Sequence, residues 1–126
     1  MKTNCIVLLL ILCLFSSCYN AERNCADFKN GKFSFTYEEN GKKQTTVFVR
    51  KDSIEIETYK GKTDTSSVRW VNDCEYILQK KNPKNRQEQK GVVIRILSTT
   101  KNSYTFEFGL VGSQNKSIGT AILLDN

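Results

Sequence analysis

Any chemistry in this chain has to be found without histidine, because its 126 residues hold none. That removes the commonest general base, proton shuttle and zinc ligand, and with them every nucleophile–histidine pair. Two carboxylates survive as a candidate acid–base pair. Glu55 and Glu57 share one strand face about 6.5–7 Å apart, a spacing that overlaps the separation in inverting glycosidases. Both lie opposite Ile54 and Ile56, however, and the sequence predicts that the isoleucines face the core and the glutamates form a solvated outer wall. Asp73 and Glu75 flank Cys74, where a turn carboxylate and a solvent-facing glutamate are the expectation. The sequence contains no glycine-rich phosphate loop, calcium loop or CxxC pair. It therefore predicts no catalytic residues, no metal ligands and no cofactor; the chain reads as a non-enzyme.

Sulfur is the other resource, in Cys5, Cys13, Cys18, Cys25 and Cys74. Met1-Lys2 gives a positive start, and Ile6 to Phe15 is an unbroken apolar run. Ten residues of helix rise about 15 Å, half a hydrocarbon core, which is the size of a signal-peptide core. The run ends in Ser16-Ser17-Cys18. That ending resembles the lipobox of bacterial lipoproteins, although Phe15 stands where the family prefers leucine. The resemblance implies cleavage after Ser17 and acylation of Cys18 with palmitate-like chains, two or more of which anchor a protein stably. An ordinary signal peptide and a retained apolar helix are the alternatives. On the lipobox reading, residues 1–17 are a signal helix and residues 18–30 a lipidated tether. The protein is then held by membrane lipid at the cell envelope, on the outer membrane.

With two cysteines removed and Cys18 acylated, Cys25 and Cys74 remain as an even pair in an oxidising compartment. A bridge between them closes a loop of about 50 residues, worth up to roughly 4 kcal/mol in the chain-entropy model. Two buried free thiols are the alternative.

Residues 31–126 must position whatever function there is, and they read as a single β domain. Phe33, Phe35 and Tyr37 alternate with Ser34 and Thr36, the period of a half-buried strand. Asn40-Gly41 is a strong hairpin signal, and residues 44–50 return rich in β-branched types. Further strands follow over 54–59, 66–71, 74–79, 91–97, 104–109 and 117–124, most joined by turns of two to five residues. Such short links force antiparallel neighbours. The expected fold is all-β: an eight-stranded antiparallel meander closing as a small, lipocalin-like barrel, which removes the exposed edges. A two-sheet sandwich and an open sheet under a small helix are the alternatives.

The segments GKFSF, VRKDSIEIE and SSVRWVNDCEYIL resemble small exported lipoproteins of flavobacteria and their relatives. The residues carrying the likeness are Cys25, Phe28, Gly31 and Phe33, then Trp70, Asp73, Cys74, Glu75 and Tyr76. The two family cysteines coincide with the expected bridge. The likeness implies no particular activity.

The net charge is +6, from 19 basic and 13 acidic residues. Much of the excess lies in Lys80, Lys81, Lys84, Arg86, Lys90 and Arg95, a candidate contact surface for an acidic protein or an anionic surface. Nucleic acid is not the expected partner, because Trp70, Tyr76, Phe106 and Phe108 share parity with core positions. The chain is expected to be a monomer. Three roles remain: a non-catalytic protein-binding or inhibitor module, a carrier of a small apolar ligand, and a purely structural envelope lipoprotein. A cavity of about 300 Å³ or more lined by Phe33, Phe35, Trp70, Ile94 and Phe106 would favour the carrier.

Overall fold

The computed structural model describes residues 21–126; Cys18 and residues 1–17, expected to be a signal segment, lie outside the described residues. Eight strands follow the alternation of the sequence: β1 (Gly31–Glu39), β2 (Lys42–Lys51), β3 (Ile54–Tyr59), β4 (Lys62–Asn72), β5 (Glu75–Lys80), β6 (Val92–Thr99), β7 (Ser103–Leu110) and β8 (Ser117–Asp125). Each pairs antiparallel with the next, and β8 returns to β1, so the sheet is a closed barrel. Two of the hairpins turn on a pair of residues in the left-handed region, Asn40-Gly41 (φ 52° and 75°) and Lys60-Gly61 (φ 47° and 74°). That backbone matches the right-handed twist of the flanking strands.

The links alternate between two ends of the barrel. At one end lie the turns after β2, β4 and β6, together with the start of β1. At the other lie the turns after β1, β3 and β7 and the long segment 81–91, which carries a one-turn helix, Arg86–Gln89. The Asn85 side chain caps that helix by accepting from the Glu88 amide at 2.8 Å.

Two expectations need correcting. Residues 25–30 are not part of a tether. Cys25–Phe28 form a 3₁₀ turn packed across the first end of the barrel, with Phe28 0% exposed and its ring 5.4 Å from that of Tyr104. One aromatic residue and one cysteine suffice to make this polar stretch part of the core. The bridge from Cys25 to Cys74 is formed, with Cα atoms 5.3 Å apart, within the usual disulfide range. It ties the turn to the β4–β5 link. Just upstream, the Thr99 amide donates to Glu22 O at 2.8 Å, and the Asn24 amide donates to Thr99 Oγ1 at 2.8 Å.

The second correction is the facing of β3. Glu55 points inward, 6% exposed, and Ile56 points outward, 42% exposed. The β2–β3 turn sets this register by placing Arg50 opposite Glu55 and Val49 opposite Ile56. Because side chains alternate, the facing of one pair decides the facing of the whole strand. An inward ion pair outweighs two isoleucines, which stay on the outer wall beside Val49.

Candidate functional site

The interior is built in two storeys. At the sealed end Arg50, 0% exposed, spends its whole hydrogen-bonding capacity. Nε donates to Lys29 O at 3.1 Å. Nη1 donates to Glu55 Oε2 at 3.0 Å and to Tyr76 Oη at 2.6 Å. Nη2 donates to Phe28 O at 2.6 Å and to Tyr104 Oη at 3.3 Å. A guanidinium has five N–H groups, and all five are used. Aromatic faces complete the enclosure: the guanidinium carbon lies 4.6 Å from the Tyr76 ring centre and 5.0 Å from that of Phe33. Burial works against the charge, but Tyr76, Tyr104 and Glu55 outweigh it and hold Arg50 more firmly protonated than usual. Glu55 goes the other way. Burial pushes its carboxyl up to about 7, against the pull of Arg50. Burial also raises the phenols of Tyr76 and Tyr104, so both remain neutral donors and acceptors.

Above this floor the barrel is hollow. A cavity of about 990 Å³ opens toward the far end, and its walls differ in character. Phe35, Ile94, Phe106 and Phe108, with Leu78 and Val92, make one side apolar. Thr46, Glu55, Glu57 and Ser66 make the other side polar. Glu57 stands one layer above Glu55 and accepts a hydrogen bond from Thr46 Oγ1 at 3.0 Å. The 81–91 segment lies at the mouth, contributing Asn85, Gln87, Glu88 and Lys90 to the lining. Comparison with protein families, with curated proteins and with solved structures finds no match to this chain.

The residues singled out from sequence divide accordingly. Phe35, Ile94 and Phe106 line the cavity as expected. Phe33 and Trp70 do not; they pack at the floor around Arg50, one layer too deep to touch the space above. The basic set also splits. Lys80 borders the cavity, held by Asp64 and Glu88 at 3.1 Å each. These two hydrogen bonds overcome partial burial and raise the Lys80 pKa. Lys81, Lys84, Arg86 and Lys90 sit on the mouth segment. Arg95 is apart from them on the outer wall, 3.7 Å from Glu107, because its odd position in β6 faces out. Cys18 lies outside the described residues.

The strongest feature, Arg50, is one that strand alternation alone does not single out. Its signal was present: Thr46, Phe48 and Arg50 share parity in β2, and Arg50 and Glu55 flank a tight turn with opposite charges. What hid it is that an inward arginine needs five partners, two of them carbonyls of a segment read as a tether.

Proposed function

We propose that the domain is a carrier that takes a small, largely apolar molecule into the barrel lumen. One observation carries this reading: the upper half of a closed barrel is a cavity of about 990 Å³ with one continuous aromatic and aliphatic wall. Ligand sites of 300–1,000 Å³, mainly apolar with a few placed polar groups, are the common form for small molecules. The role is binding without turnover. The saturated Arg50 network is a structural floor, and the groups facing the cavity are suited to holding a molecule.

The carrier is lipid-anchored at the cell envelope through Cys18. The described chain enters the fold at the sealed end, so an anchor just upstream would hold that end toward the membrane and leave the mouth facing away.

Titration of the protein with 1-aminoanthracene, a neutral fluorescent probe, tests the reading. Saturable uptake of one probe per chain is expected. Val92→Trp, which fills the apolar wall, should abolish it while circular dichroism stays unchanged. Absence of saturable uptake by the unmodified protein overturns the proposal.

A second role has its own support. Among the described residues, Lys81, Lys84 and Arg86 make no side-chain ion pair, so the mouth presents unpaired positive charge suited to an acidic docking partner. Salt-sensitive capture of an acidic envelope protein, lost on replacing all three with glutamine, tests it.

A further inference from the structure

The chemistry of the lumen narrows what it can take. A buried arginine beside an apolar cavity suggests a fatty-acid carboxylate, but here no N–H of Arg50 remains to meet one: all five are bound within the floor. Lys80, the next cation, is held by two carboxylates. Lys90, at the mouth, lines the cavity without an ion pair among the described residues; on the polar wall the charged groups are two carboxylates, Glu55, paired with Arg50 through one oxygen, and Glu57. Only Oε2 of Glu55 carries a described hydrogen bond, although the residue is more than nine-tenths buried and lines the cavity. Glu57 has the Thr46 hydroxyl as its described partner, and no described salt bridge reaches it. The two carboxylates rise from alternate positions of β3, about 6.5–7 Å apart along the strand. An ammonium group can therefore donate to both. Across the ring of strands from β3, β7 carries Phe106 and Phe108, and Phe35 of β1 packs against both.

We propose that the lumen selects amphipathic primary amines, with the ammonium held between Glu55 and Glu57 and the hydrocarbon or aryl body against the phenylalanine wall. This rests on the carrier reading and adds the ligand's head group to it. Hydrogen bonds between ionised partners are roughly twice as strong as neutral ones; Glu55 is buried and Glu57 stands exposed toward the open side of the cavity, so discrimination by head group is the natural readout. The competing arrangement is an anion held at the mouth by Lys90, which lines the cavity and has no ion pair among the described residues.

Octylamine, octanol and octanoate, matched in chain length, separate these outcomes by calorimetric titration of the disulfide-bonded protein. Octylamine is expected to bind about tenfold more tightly than octanol and octanoate more weakly than either. Glu57→Gln should bring octylamine to the octanol level and leave octanol unchanged, which also shows that the variant is folded. If octanol binds and octylamine is no tighter, the amine proposal falls and the carrier stands. Octanoate as the tightest ligand, weakened by Lys90→Ala, establishes the mouth anion instead. If none of the three binds, both readings fall.

Discussion

Arg50 and Glu55 meet across the β2–β3 hairpin with Nη1 3.0 Å from Oε2, and almost no surface of either reaches solvent. The pair joins the N-terminal turn, β3, β5 and β7 through one planar group. Replacing Arg50 with lysine keeps the charge but cannot reproduce a five-donor fork. Breaking a buried pair leaves an uncompensated charge and costs about 3–5 kcal/mol. Arg50→Lys and Arg50→Ala should both lose stability on that order in urea unfolding. Arg50→Met, made with Glu55→Gln, should recover part of it by removing both charges together.

Glu55 also gives stability a definite pH slope. Its folded carboxyl titrates at about 7, against an ordinary value of 4.5. Burial raises it, Arg50 pulls it back, and the neighbouring Glu57 raises it further; Tyr76 and Tyr104 face the same pair. Between these two pH values the folded chain binds more protons than the unfolded one. Stability therefore falls as pH rises from about 4.5 to 7, by on the order of 3 kcal/mol from this group, and levels off above. Unfolding midpoints measured from pH 4.5 to 8 should show that decline, and Glu55→Gln should flatten it.

The Cys25–Cys74 bridge closes a 49-residue separation and fastens the turn whose carbonyls accept from Arg50. Cys25→Ser with Cys74→Ser should lower stability by about 2–4 kcal/mol. Hydrogen exchange should increase first in residues 22–30 and at the β4–β5 link, and less in the strands around the mouth.

Gly119 packs against the Phe35 ring. A β-carbon there would collide with Phe35 Cε2 and come within 2.9 Å of Phe35 Cζ and 3.1 Å of Phe106 Cζ. Gly119→Ala must push these rings into the lumen, at about 1–3 kcal/mol for overpacking. The variant should fold, lose stability by that amount, and bind 1-aminoanthracene several-fold more weakly than the unmodified protein.

Strand positions and closure were legible because the alternation of Phe33, Phe35 and Tyr37, and of Tyr104, Phe106 and Phe108, needs only the period of a strand. The Cys25–Cys74 pair was legible from sulfur arithmetic. Facing is not legible in β3, because apolar character judged one strand at a time points Ile54 and Ile56 inward. In a hollow barrel the inside is partly polar, and only the cross-strand partner, Arg50 for Glu55, decides which face is which. For Phe33 and Trp70 parity gives the face but not the depth, since it carries no information about height along the barrel axis. The role of residues 25–30 was hidden because their carbonyl groups, not their side chains, hold the arginine.

Because the links alternate between ends, the groups that hold the fold together and the groups that would meet a guest are far apart in space and mixed along the sequence. Segment 81–91 and the turns after β1, β3 and β7 can be lengthened, shortened or exchanged without disturbing the arginine knot. The same architecture is thus suited to diversification, with a fixed base and interchangeable lips, and to the grafting of new specificities by design.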